Sequence, residues 1–209
     1  MAITIEDITL EADPHDARWT LRVTRQHLNT LRSRGAHPCQ NDIEMTVVSA
    51  LIQAMRPRRV CEIGALRGGW IAALTDALSH NAIIWEIDPA DTPALRIARR
   101  RAEHIVCAGT NRRIEWKIAR SQDIAHEIRA AAPWDLVHVD GDHRYEAVRH
   151  DLELAHEVLR PGGLLVAHDV RNPKEEGLRR AWDEFAKEKD MCIIDAGAGM
   201  GIGLVWKRL

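Results

Sequence analysis

From Pro57 onward, short apolar runs alternate with longer stretches whose apolar residues recur at helical spacing. Residues 59–63 predict a buried strand. A turn over residues 64–69 follows, and Trp70, Ile71, Leu74 and Leu78 predict a helix behind it. Residues 82–87 predict a second strand, stopped by Pro89, before a helix from Pro93 to His104 with Leu95, Ala98, Ala102 and Ile105 on one face. Residues 114–118 alternate as a third strand, and Ser121 is the expected N-cap of a helix ending before Pro133. Residues 135–139 predict a fourth strand, and Val148, Leu152, Ala155 and Leu159 mark an amphipathic helix. Pro161-Gly-Gly163 breaks that helix, and residues 164–167 predict a fifth strand. A helix carrying Leu178, Trp182 and Phe185 leads to two last strands at 191–194 and 203–206. The glycine-rich link between them (Gly197, Gly199, Gly201) is short enough for an antiparallel hairpin.

Strict alternation of strand and helix implies a parallel sheet covered by helices on both faces, because each parallel crossover needs a long connection. With the terminal hairpin the expectation is an α/β fold on a seven-stranded, mostly parallel sheet. Residues 1–56 differ in character: helical patterns over 16–32 and 41–55, joined by a loop around Gly35 and Pro38, predict an N-terminal helical cap. Residues 57–209 carry the sheet. A chain of 209 residues without repeat or linker suits one structural domain.

A net charge of −2 excludes a general electrostatic grip on nucleic acid or membrane. The one basic run, Arg96 with Arg99, Arg100 and Arg101, has no interleaved aromatics and reads as a solvated helix face. Cysteines at 39, 61, 107 and 192 form no CxxC pair, which suits a reduced, cytoplasmic protein. The N-terminus lacks the basic and apolar regions of an export signal, and no apolar run approaches the ~18 residues of a membrane span. The seven tryptophans fall mostly on apolar stripes and read as core, His138 as a core histidine, and His150 and His156 as solvated helix residues.

Ligands of open α/β sheets sit at the carboxyl ends of the strands. Those ends carry Glu62 and Gly64, Glu86 and Asp88, Ser121 and Gln122, Asp140 and His143, and His168 and Asp169. The first turn reads Gly64-x-x-x-Gly68-Gly69, which is not the spacing of a dinucleotide pyrophosphate site. Glu86 ends the second strand, where a carboxylate can accept hydrogen bonds from ribose hydroxyls; the alternative is a helix-capping acid. Asp140 likewise has a capping alternative, and His143 the alternative of an ordinary surface residue.

The segments Val60-Cys-Glu-Ile-Gly-Ala-Leu-Arg-Gly-Gly69, Trp85-Glu-Ile-Asp-Pro89 and Ser121-Gln-Asp123 resemble, in order and spacing, the class I S-adenosylmethionine-dependent methyltransferases. They are similar to the metal-dependent O-methyltransferases of the catechol type. Residues 135–145, with Leu159-Arg-Pro-Gly-Gly163 and Val166-Ala-His-Asp-Val170, resemble the compact family of macrolide-sugar (macrocin-type) O-methyltransferases. The resemblance runs from about Gln40 to Trp206 and implies a Rossmann-like sheet. It implies that Glu62, Gly64, Gly68 and Gly69 contact the methionine part of S-adenosylmethionine, that Glu86 with Asp88 serves the ribose, and that Ser121 and Gln122 meet the adenine. Asp140 closes the same pocket. Asp140 and Asp169 match metal ligands, with His168 beside them, and His143 matches the general base. His168 stands where some relatives carry an oxygen ligand; Mg²⁺ prefers oxygen whereas imidazole suits softer ions, and Asp142 or Asn172 are alternative oxygen donors. The implied reaction is O-methylation of a small hydroxylated acceptor with help from Mg²⁺ or another divalent ion. Rival readings are a catalytically inactive cofactor-binding module and a nicotinamide-dependent dehydrogenase. The short chain leaves room for a pocket completed by a second subunit in a homo-oligomer.

Overall fold

The computed structural model describes residues 42–195 and 200–208. The expected helix at 16–32, the loop at 35–38, Trp19, Cys39, Gly197 and Gly199 lie outside them. Seven strands form one sheet: β1 (Arg59–Ile63), β2 (Ile83–Ile87), β3 (Arg113–Lys117), β4 (Trp134–Val139), β5 (Leu159–Ala167), β6 (Met191–Ile194) and β7 (Ile202–Trp206). Their spatial order is β3-β2-β1-β4-β5-β7-β6. The first five strands run parallel, and β7 pairs antiparallel with both β5 and β6. The α/β, mostly parallel sheet with its terminal hairpin is therefore as expected.

Six helices are described: α1 (Asp42–Met55), α2 (Gly69–Ala73), α3 (Pro93–Cys107), α4 (Ala125–Ala130), α5 (Tyr145–Val158) and α6 (Glu176–Ala186). They divide the sheet into two cores by strand alternation. Val60, Leu136, Leu164, Val166 and Leu204 face α1, α2 and α3. Cys61, Val137, Leu165, Ala167 and Val205 face α4, α5 and α6. Burial on both faces is why the central strands read as unbroken apolar runs rather than as alternating ones. Helix α1 is built into this core: Met45, Val48 and Ile52 are fully buried in the first cluster, and Glu44 accepts a hydrogen bond from the Gly201 amide at 2.9 Å.

Three local expectations are corrected. The helix after Gly69 stops at Ala73 and gives way to a 3₁₀ turn (Thr75–Ala77). There the Thr75 hydroxyl donates to the Ala72 carbonyl at 2.7 Å and competes with the helical pattern. Pro161-Gly-Gly163 ends α5 but is itself part of β5, which opens at Leu159 with a register shift against β4. The basic run is not wholly solvated: Arg96, Arg100 and Arg101 are exposed, but Arg99 is buried.

At the amino end of the sheet one carboxylate ties three strands. Asp135 Oδ2 accepts from the amides of Arg58 (2.7 Å) and Arg59 (2.9 Å), and its Oδ1 accepts from Arg160 Nε (2.5 Å). Burial alone would raise this carboxyl's pKa, but the Arg160 guanidinium and the two amides hold it below the usual value. On the far side of the sheet, Gly203 lies against the Trp182 ring, where an added Cβ would meet ring carbons at 2.3 Å.

Two outcomes follow from these contacts. Gly203→Ala should destabilise the protein by about 1–3 kcal/mol through overpacking, measured by urea unfolding. Asp135→Asn should be less stable than the wild type at pH 7. Because the folded pKa is depressed, that difference should shrink as the pH falls below about 4, the ordinary aspartate value, and through the lower folded value.

Candidate active site

The strand order reverses direction between β1 and β4, and the crevice at such a switch point is where open α/β sheets bind ligands. A cavity of about 1180 Å³ opens there, lined by the loops after β1, β2, β3, β4 and β5. Its shape depends on Gly64, whose φ is +94° and where a Cβ would lie 2.0 Å from the Asp140 carbonyl oxygen. Only glycine lets the loops after β1 and β4 meet in this way. Glu62, Gly64 and Gly69 line the cavity. Gly68 does not: it turns the backbone (φ +73°) against the ring of Trp116 and the methyl of Ala102.

Glu62 and Glu86 are register partners on β1 and β2, and both are buried. Glu62 reaches the cavity and pairs with His138 Nδ1 at 3.1 Å; the His138 ring stacks on Trp70 at 3.9 Å. Burial pushes the Glu62 carboxyl up to about 8 and, more strongly than Asp140 can offset, brings the His138 imidazole down to about 3. His138 is thus a core histidine, with a partner at one nitrogen. Glu86 lies beneath the cavity wall rather than in it. Neither of its oxygens receives an N–H or hydroxyl donor from another described residue, and burial, followed by the charge of Glu62 and a hydrogen bond shared with it, drives its pKa well up. Asp88 does reach the cavity, and accepts from the amides of Leu66 (2.9 Å) and Ala90 (2.8 Å).

On the β3 side, Ser121 and Gln122 line the cavity, but Ser121 caps no helix. Its hydroxyl donates to Asp151 Oδ1 at 2.5 Å, Gln122 Nε2 approaches the same oxygen at 3.4 Å, and His150 Nδ1 lies 3.1 Å away. Helix α4 therefore starts three residues later than expected, at Ala125 with Ile124 as its N-cap. His150 and His156 are half-buried rather than free in solvent, with His156 edge-on to Phe185.

The loops after β4 and β5 gather a mixed cluster. One oxygen of Asp140, one of Asp169 and one ring nitrogen of His143 all lie within 4.8 Å of one another. His143 Nε2 is 3.4 Å from Asp169 Oδ2 and 3.9 Å from Asp140 Oδ1, and its Nδ1 is 3.5 Å from Glu175. His168 Nδ1 faces both carboxylates, at 3.3 Å from Asp140 and 3.5 Å from Asp169. Burial opposes a charged His168, but the two carboxylates outweigh it and lift its pKa to about 10. Asp140 in turn is held well below the carboxylate range by both histidines despite its burial. The nearby Asp140 carboxylate raises the His143 pKa against the burial that would lower it. Asp169 adopts a left-handed φ of +62°, a strained conformation for a non-glycine residue that aims its carboxylate into the cluster. The two alternative oxygen donors are engaged elsewhere. Asp142 pairs with Arg144, and the Asn172 side-chain oxygen accepts from the Lys174 amide at 3.1 Å while its Nδ2 donates to Asp169 at 3.2 Å.

Asp151 and Glu175 are structural participants that the sequence reading does not name, and Arg99 is one that it reads as solvated. Asp151 had one signal: it sits beside the Val148–Leu152–Ala155 stripe of α5, a position where a carboxylate is buried only if it has partners.

A mostly parallel seven-stranded sheet with a reversed last strand and a cavity across its switch point is the Rossmann-like methyltransferase architecture. Residues 61–170 match a family model described as a methyltransferase domain, and the chain belongs to that family. The resemblance to class I methyltransferases is borne out at this level. No curated protein sequence matches the chain. Among solved structures it is similar to the O-methyltransferase TomG from Streptomyces achromogenes, involved in tomaymycin synthesis and crystallised with SAM. The TM-score is 0.65 at 18% identity, over 90% of this chain and 92% of that one. It is also similar to an O-methyltransferase from Bacillus cereus in complex with SAH, with a TM-score of 0.61 at 20% identity, over 87% and 89%.

Asp151→Ala should leave the Ser121 hydroxyl and its loop without their anchor. The expected loss is about 2 kcal/mol, read as a fall of about 4–8 °C in the unfolding midpoint.

Proposed function

We propose that this chain is an S-adenosylmethionine-dependent O-methyltransferase of a small hydroxylated acceptor, assisted by a divalent ion at Asp140 and Asp169. The observation that carries the reading is the continuity of one cavity. It runs from the Glu62, Asp88 and Ser121 side to the Asp140 and Asp169 side, so a cofactor and a second molecule have room to meet. The SAM and SAH complexes of the similar structures support the cofactor half.

In this reading Glu62, with the Gly64 and Gly69 backbone, holds the methionine end of the cofactor. Asp88 is the acid that reaches the ribose side, with Glu86 behind it, and Ser121 and Gln122 border the adenine. Bound S-adenosylmethionine supplies a methyl group already activated on a sulfonium. The chain's work is then alignment of the acceptor oxygen with that methyl, from which much of the rate comes. The donor set fits a divalent ion: the Asp140 and Asp169 carboxylates lie close together, and His168 Nδ1, at 3.3 and 3.5 Å from them, supplies the nitrogen donor. Such a mixed set suits Mn²⁺, Fe²⁺ or Zn²⁺ better than Mg²⁺, and a bound ion would lower the pKa of an acceptor hydroxyl. The resemblance makes His143 the group that takes the hydroxyl proton; it borders a small pocket beside the cluster rather than the main cavity, with its Nε2 3.4 Å from Asp169. No described helix is long and apolar enough to cross a membrane, and Cys61, Cys107 and Cys192 are unpaired, in keeping with a cytoplasmic protein.

Calorimetric titration with S-adenosylhomocysteine should give micromolar binding, and titration with Mn²⁺ should give a second binding event that Asp140→Asn abolishes. A folded protein that binds no S-adenosylhomocysteine would overturn the methyltransferase reading; binding without any ion event would remove the metal alone. With an acceptor in hand, His143→Ala should lower kcat by about 10²–10⁴ while the S-adenosylhomocysteine affinity stays close to wild type.

A further inference from the structure

Two residues of the cavity wall have both backbone polar groups held by the same pair of side chains. The Leu66 amide donates to Asp88 Oδ2 at 2.9 Å, and its carbonyl accepts from Arg99 Nε at 2.9 Å. The Ala90 amide donates to Asp88 Oδ1 at 2.8 Å, and its carbonyl accepts from Arg99 Nη2 at 2.9 Å. Leu66 belongs to the turn after β1 and Ala90 to the loop after β2, and both line the cavity. Arg99 does not. It rises from α3 behind the wall, 4% exposed, with its guanidinium over the Trp116 ring at 5.1 Å and 3.5 Å from Asp88.

Burying an arginine is costly, so the site must return something for it. What Arg99 supplies is geometric. Leu66 has a φ of +43°, a left-handed conformation that costs a non-glycine residue of order 1–3 kcal/mol and persists only where the surroundings over-determine it. The planar fork of a guanidinium can reach two carbonyls on separate loops at once, whereas an ammonium is a single point of charge.

We infer that Arg99 is a positioning residue for the cofactor. With Asp88 it clamps the loops after β1 and β2 into the shape of the binding cavity before any ligand arrives. This rests on the cofactor assignment above, but the clamp itself also has a test that needs no ligand.

Arg99→Gln and Arg99→Lys, with the exposed neighbour Arg100→Gln as control, are compared with wild type in three ways. In calorimetry, Arg99→Gln should weaken S-adenosylhomocysteine binding by about tenfold, with Arg99→Lys in between and Arg100→Gln unchanged. In turnover, the apparent KM for S-adenosylmethionine should rise by a similar factor while kcat at saturation holds, a split that general destabilisation would not give. In hydrogen exchange on the ligand-free protein, the Leu66 and Ala90 amides should be protected in wild type and exchange faster in both Arg99 variants. A folded Arg99→Gln with wild-type affinity and wild-type exchange at both amides overturns the inference. If the wild type binds no S-adenosylhomocysteine, the cofactor reading fails, and exchange alone decides: faster exchange in the variants supports the clamp and unchanged exchange overturns it. If neither variant folds, protection of both amides in the wild type supports the clamp and rapid exchange there overturns it.

Discussion

The site depends on one close approach between backbones. Where β1 and β4 diverge, the loops that leave them meet at Gly64 and Asp140, and a Cβ on Gly64 would fall 2.0 Å from the Asp140 carbonyl oxygen. That contact sets the cavity floor and brings the Glu62 end of the site within reach of the Asp140 cluster. The Asp140 amide, bonded to the Ile63 carbonyl at 2.8 Å, and the Gly64 amide, bonded to the Ile87 carbonyl at 2.8 Å, lock β1, β2 and β4 around it. The rest of the sheet serves to present those three strand ends at a common height.

Charge is handled differently on the two sides of this floor. Beneath it, Glu62, Glu86 and His138 are buried deeply enough that desolvation decides their protonation and favours neutral forms. Beyond it, the Asp140 carboxylate and the His143 and His168 imidazoles lie close enough that mutual attraction prevails over burial, and their charged forms are favoured. Of the buried set only Glu62 reaches the cavity, and at the other end a divalent ion would have to displace the protons that the paired imidazoles hold.

Much of the fold was legible because the central strands are buried on both faces and carry short apolar runs, unbroken in 164–167 and interrupted only by Glu62 in 60–63. The positions at strand ends were legible for the same reason. Glu62, Asp88, Ser121, Gln122, Asp140, His168 and Asp169 all border the cavity. What was not legible is what distant partners decide. Ser121 reads locally as a helix cap, yet its hydroxyl goes to Asp151, 30 residues away. Arg99 looks solvated within its basic run, yet it is drawn inward by carbonyls on two loops. Glu86 and Gly68 fit a motif by spacing, but which way each faces turns on packing against Glu62 and Trp116 that no spacing encodes. The left-handed turns at Leu66 and Asp169 have no glycine to announce them.

Among the described residues, the two outer strands of the sheet are guarded against further pairing by different means. Strand β3 carries Arg113, Glu115 and Lys117 at alternate positions, and Lys117 covers the Trp85 ring at 4.2 Å. Strand β6, at the opposite edge, is only four residues long. An unpaired strand is a template for any other chain with a strand to offer, and alternating charge or brevity each makes it a poor one. Open-ended growth of the sheet is thereby discouraged at both sides, and the protein can keep a rigid, highly apolar interior without its sheet recruiting further strands.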